Sequence, residues 1–231
     1  MKQMRFSSGL NLSHYDKLET LSLRNVTIDD AHNLRTPSSL QEFDLVGEFA
    51  NIYPRPEEIK FPARNLTSIS ASGNQAIRFL GYVIRQGLDS EKLRKLRLKD
   101  FVTYSLVGDR GVWNNLNTLS ILPRTDVFQK VEDLELSDDN LKDSDAATVL
   151  HLFPNVRNLE LESEQITELF ISEIVRALGR KLKSVTLRNC SAMSQQIVSW
   201  ALTRGLSIQL RRTRTGTSRI LGSQPLRHGT V

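Results

Sequence analysis

A single cysteine, Cys190, in 231 residues excludes any disulfide within the chain. Aromatic residues make up only 6%, so a core built here has to be filled mainly by Leu, Ile and Val. No apolar run approaches the roughly 18 residues needed to span a membrane. The opening MKQMRFSSGLNLSHYD also lacks the continuous apolar stretch of a secretory signal. Without such a signal the N-x-S/T sequons at Asn11, Asn25, Asn65 and Asn189 carry no expectation of glycosylation. The chain therefore reads as cytoplasmic, nuclear or both, with no membrane association.

Chemistry-bearing groups are equally sparse. The four histidines, His14, His32, His151 and His228, are scattered, with no Cys or carboxylate partner at metal-ligand spacing. Gly108–Gly111 (GDRG) lacks the Lys-Ser/Thr and the strand-to-helix setting of a phosphate loop. No Ser/His/Asp set emerges. The expectation is a protein that is not an enzyme and uses no cofactor or metal. Cys190 stands just after an apolar alternation and reads as a buried structural thiol. Trp113 and Trp200 read as packing residues.

What the chain does contain is one phrase written many times. VEDLEL at 131–136 and VRNLEL at 156–161 place apolar residues first, fourth and sixth. The same spacing appears in LETLSL from Leu18, LQEFDL from Leu40, LRKLRL from Leu93, LNTLSI from Leu116 and LKSVTL from Leu182. LTSISA from Leu66 and GLSIQL from Gly205 are weaker copies. Successive starts are separated by 22, 26, 27, 23, 15, 25, 26 and 23 residues. Seven of these eight steps fall in the range of about 20–29 residues typical of leucine-rich repeats.

Each copy is short and alternating, the signature of a half-buried strand. Amphipathic segments follow several of them. NQAIRFLGYVIRQG aligns Ile77, Leu80, Val83 and Ile84 on one face, with Gly87 at its end. In TELFISEIVRALG, Thr167 can cap the start and Gly179 the end; in SQQIVSWALTRG, Ser194 and Gly205 take those places. DSDAATVLHLFP should start at Ser144 or Asp145 and stop before Pro154. Asn51–Pro62 and Asp100–Asn115 read as non-helical. The fold class expected is α/β: a right-handed leucine-rich repeat solenoid, or horseshoe, with seven to nine parallel strands on its concave side and irregular helices on the convex side. Residues 1–17 would be an N-terminal cap or the remnant of an incomplete repeat, 18–211 the repeat domain, and 212–231 a basic, disordered tail. An open apolar end at the first repeat would make the chain the C-terminal part of something longer.

The net charge of +5 is unevenly placed. Six arginines and no acid lie between Thr203 and Val231, leaving 25 basic residues against 26 acidic ones before them. Such a tail suits phosphates without sequence choice, so nucleic acid is one expected partner.

The Leu-spaced strands, the helices between them and LRNC at Leu187–Cys190 resemble the ribonuclease-inhibitor-like leucine-rich repeats of F-box proteins, especially the irregular fungal ones. The resemblance covers about residues 16–211. It implies a horseshoe that selects a protein substrate, while an F-box ahead of it docks the ubiquitin-ligase core. No F-box is recognisable here, so ligase subunits would be partners only if that segment is supplied elsewhere. Two other readings stay open: a nuclear, chromatin-associated factor working through the basic tail, and a leucine-rich-repeat activator of GTPases.

Strand side chains alternate, so residues flanking the fourth and sixth positions of each copy line the concave surface. One row there is wholly basic: Lys95, Arg97 and Lys99. Two further rows are acid-rich, with Asp133 and Glu135, then Glu160 and Glu162. These seven residues are the expected partner-binding site, a protein being the expected partner. The basic and acidic rows should be separated by the Thr118–Ser120 row, and Glu135 should stand beside Glu160.

Overall fold

The computed structural model of the chain describes residues 4–6, 10–24, 26–28, 34–46, 65–73, 76, 80, 92–100, 126–190 and 194–211. Strands are numbered in chain order. β1 (Met4–Phe6) and β3 (Val26–Ile28) form a small parallel pair. The main sheet holds β2 (Thr20–Arg24), β4 (Glu42–Val46), β5 (Ser68–Ser72), β6 (Lys95–Lys99), β7 (Asp133–Ser137), β8 (Asn158–Glu162), β9 (Ser184–Arg188) and β10 (Ser207–Arg211). These eight strands are all parallel, and their spatial order follows the chain. The protein is thus α/β with one open parallel sheet, an arrangement compatible with a solenoid-like repeat.

The apolar spacing explains the sheet directly. Fourth and sixth positions of successive copies fall in register, as in Leu96↔Leu134↔Leu159↔Val185 and Leu98↔Leu136↔Leu161↔Leu187. All eight of these side chains are buried. Their sequence neighbours point the other way, toward solvent, because the side-chain period of a strand is two. Just ahead of the strands a backbone ladder ties one copy to the next. Arg94 N donates to Thr67 O, Glu132 N to Arg94 O, Arg157 N to Glu132 O and Lys183 N to Arg157 O, at 2.7–2.9 Å. Leu21, expected in the core, is only half-buried: β2 is the outermost strand and has a sheet neighbour on one side alone.

Helices among the described residues are few and irregular. α1 (Ala146–Leu152) follows a 3-10 turn at Asp143–Asp145 and ends at Phe153, just before Pro154. α2 (Glu168–Leu178) starts at Thr167, whose Oγ1 accepts from Leu169 N at 3.2 Å. It ends at Gly179, where φ is +55°, a backbone region that costs glycine nothing. α3 (Gln195–Leu202) starts at Ser194, but not by the expected side-chain cap. Instead the Ser194 backbone N–H donates to Glu168 Oε1 at 2.6 Å, tying the start of α3 to that of α2. Phe170, Ile171, Ile174, Val175 and Leu178 of α2 lie in the same buried cluster as the strand leucines.

One expectation is overturned. No strand separates the copy at Leu93 from the copy at Val131, because β6 pairs directly with β7, Lys95 opposite Asp133 and Arg97 opposite Glu135. The 15-residue step is accounted for by this: from Leu93 the sheet continues at Val131, and residues 101–125 lie outside the described residues. Also outside them are most of the 74–87 segment, of which Ala76 and Leu80 are helical and buried, the stretch 51–62, Trp113, and the tail 212–231.

Candidate charged face of the sheet

Direct pairing of β6 with β7 places the basic row beside the first acidic row, with no strand between. Arg97 Nε lies 2.9 Å from Glu135 Oε2, and Lys99 Nζ lies 2.6 Å from Glu135 Oε1. Glu135 is gripped by both cations, and its side chain is only 12% exposed. Glu160 does stand beside Glu135 in register, as expected. It is not left to repel its neighbour, because Arg188 of β9 forms an ion pair with it from the other side. Like charges side by side in a sheet destabilise; here each acid has its own cation.

The flanking rows are joined by hydrogen bonds. Glu162 accepts from Ser137 Oγ at 3.0 Å and from Asn189 Nδ2 at 2.8 Å. Asp133 accepts from Asn158 Nδ2 at 2.6 Å, and Asn158 Oδ1 in turn accepts from Ser184 Oγ at 2.7 Å. All seven expected residues therefore share one face, and six of them enter separate cross-strand groups, while Lys95 shows no ion pair among the described residues. These groups also include residues outside that set, chiefly Arg188, Asn158 and Asn189. Arg188 could have been found by carrying the row register one strand further. Asn189 sits just past β9 at φ +54°, a conformation asparagine tolerates better than most residues. Between these rows lies an open hollow of about 260 Å³, walled by Lys95, Arg97, Asp133, Glu135 and Glu160 over the backbone of the strands.

A second polar group sits on the same face near β2. Asp44 accepts from Arg24 Nε at 2.8 Å and from Ser22 Oγ at 2.9 Å. Burial by itself would raise the Asp44 carboxyl, yet hydrogen bonds from Arg24, Ser22 and Ser70 and the Arg24 charge hold it below its ordinary value. These contacts keep the acid ionised over a wide pH range.

The loops leaving the strands carry acids of a different kind. Asp138, directly after β7, is 5% exposed. Burial pushes its carboxyl up to about 6 against the hydrogen bonds from Asn140, and the nearby charges of Asp139 and Asp100 add to the rise. Cys190, two residues past β9, is buried, and its thiol donates to Arg188 O at 3.3 Å. Burial raises that thiol, which opposes thiolate formation and nucleophilic use. Among the described residues, no three His, Cys, Asp or Glu side chains are grouped to hold a metal ion. No described helix is long and apolar enough to cross a membrane. No family model and no curated protein matches the chain.

Proposed function

We propose that the chain is a leucine-rich-repeat recognition module, a right-handed horseshoe whose concave side is the charged face of the sheet and whose irregular helices form the convex side. It captures a protein partner in the cytosol or nucleus without catalysing a reaction on it, in the manner of the substrate-receptor repeats it resembles. The observation that carries this reading is the zoning of the charged face: a basic row on β6, acid-rich rows on β7 and β8, and Arg188 on β9, held together by cross-strand pairs. Side chains already fixed in place lose less conformational freedom when a partner docks. A fixed charge pattern, with acidic rows flanked by basic ones, favours a partner with the complementary pattern and repels others. Ligase subunits would join only through an F-box supplied elsewhere.

Quantitative capture from native cell extract tests this with two variants. Glu135→Gln/Glu160→Gln keeps size and hydrogen-bonding capacity but removes both central charges; Glu173→Gln removes an exposed charge from α2. The wild-type partner should bind the double variant about tenfold or more weakly and the α2 variant unchanged, with both variants folded at the assay temperature and the α2 variant melting with wild type. The reverse ranking would move the recognition surface to the helical side. Recovery of ubiquitin-ligase subunits with the partner separates substrate reception from other recognition roles.

A further inference from the structure

Each copy also has positions ahead of its strand, which the apolar pattern does not advertise. In register they form two rows along one rim of the sheet. The position before the first apolar residue reads Asn65, Lys92, Lys130, Asn155, Lys181 and Arg204 from β5 to β10. The position after it reads Arg94, Glu132, Arg157 and Lys183 from β6 to β9, locked one to the next by the backbone ladder. Arg94, Lys130, Arg157, Arg180, Lys181 and Lys183 line one open hollow of about 620 Å³ on this rim. Lys92 and Arg204 extend the rim at its two ends, and all eight cations are exposed. The acid lining that hollow is Glu132, which Arg157 already meets at 3.4 Å.

Several of these cations are placed rather than loose. Lys92 Nζ donates to Asn65 Oδ1 at 2.5 Å, and Lys181 Nζ donates to Asn155 Oδ1 at 3.0 Å. Asn155 is held in turn by donating to Gln129 O at 2.6 Å. The opposite rim, where the chain leaves the strands, carries Asp100, Asp138 and Asp139 instead. Near-neutrality of the body thus conceals a separation of charge across the width of the sheet.

We infer that this basic rim binds the phosphate backbone of a double-stranded nucleic acid. Charge density decides the class of partner. From β6 to β10 there are four strand spacings, about 19 Å, and eight cations share that length, one per about 2.4 Å. An extended acidic peptide advances about 3.4 Å per residue and turns alternate side chains away, so it offers one carboxylate per about 7 Å. A duplex carries one phosphate charge per about 1.7 Å of axis. A single strand would need aromatic platforms for its bases. Among the described residues Tyr15 is the one aromatic ring among the exposed large apolar side chains, and it stands ahead of β2, outside the span from β6 to β10. Trp200, beside its end, is covered by the Arg204 guanidinium at 4.5 Å. Contacts of this kind position a duplex without reading its sequence.

Fluorescence anisotropy of the full chain with a labelled duplex DNA of arbitrary sequence tests the inference. Affinity should fall about a thousandfold between about 50 and about 200 mM salt, as expected for six phosphate contacts. Lys130→Gln/Arg180→Gln/Lys183→Gln should weaken binding at least about tenfold and reduce the salt slope by about 2.7; Lys183→Gln alone should reduce it by about 0.9. A variant with Arg212, Arg214, Arg219 and Arg227 changed to Gln should keep the wild-type slope. Absence of duplex binding at low salt would overturn the inference. So would a rim variant that binds like wild type while the tail variant does not, or polyglutamate binding more tightly than the duplex.

Discussion

Replacing Leu159 with aspartate should leave the chain unfolded at room temperature. Leu159 is 2% exposed and stands in β8 between Leu134 and Val185, with neighbouring strands on both sides. An ionised carboxylate there loses its water and finds no cation, because every side chain in register with it is apolar. The cost of an uncompensated buried charge, together with the lost leucine, exceeds about 4 kcal/mol, against a total stability of about 5–15 kcal/mol for ordinary domains. Each strand of a stacked array also supports only its neighbours, so the damage spreads along the sheet. Leu159→Ala, which leaves a cavity but no charge, should cost about 2–5 kcal/mol and still fold. Far-ultraviolet circular dichroism on heating separates the three proteins. A folded Leu159→Asp variant melting with wild type would mean that Leu159 does not face the core.

Asp138→Asn should stabilise the protein at neutral pH, and the gain should vanish in acid. The folded protein holds this carboxyl at about 6, above its ordinary value of 3.8, chiefly because burial disfavours the charge. Between those values the folded state binds more protons than the unfolded chain. The stability associated with the protonated group is therefore fully present below about 3.8 and is lost as pH rises through about 6. Near pH 7.5 the buried charge is a net cost. Asparagine keeps a side-chain oxygen for the Asn140 N–H, now 2.6 Å from Asp138 Oδ1, without that charge. The gain near pH 7.5 should be on the order of 1–3 kcal/mol, with little difference near pH 4. Urea unfolding of both proteins at the two pH values measures it. An equal difference at both, or none at either, would show that Asp138 is not held up by burial.

Leu96, Leu98, Leu134, Leu136, Leu161 and Leu187 could be assigned to the core from sequence because alternation is local: each copy declares its own buried side. The interior of α2 was equally legible, since Thr167 and Gly179 mark its ends and the apolar stripe lies between them. What could not be read was which copies become neighbours. LNTLSI has the same letters as the copies that pair in the sheet, and only the register of β6 against β7 shows that Arg97 meets Glu135. The seven candidate residues were identifiable by sign and row, but not their mutual neutralisation, which depends on that adjacency and on Arg188 from the next strand. Ser194 had the residue type of a cap, yet Glu168, 26 residues earlier, supplies the acceptor at that helix start. The basic rim is hidden in the sequence for a related reason. Its residues lie just ahead of the strands, beside the first apolar position of each copy where no alternation marks them, and they gather only when strands stack.

The charged face requires β6 and β7 to lie side by side. Cysteines at positions 95 and 133 test this directly, since the native Cys190 is buried and gives little background. Residues opposite one another on adjacent parallel strands lie about 4.8 Å apart, inside the Cα separation a disulfide accepts. Lys95→Cys/Asp133→Cys should close quantitatively under mild oxidation, giving a 95–133 linked peptide by mass spectrometry and no loss of melting temperature. Failure of that pair to close, with Lys95→Cys/Thr118→Cys closing in its place, would put another strand between the basic and acidic rows and contradict the charged face described here.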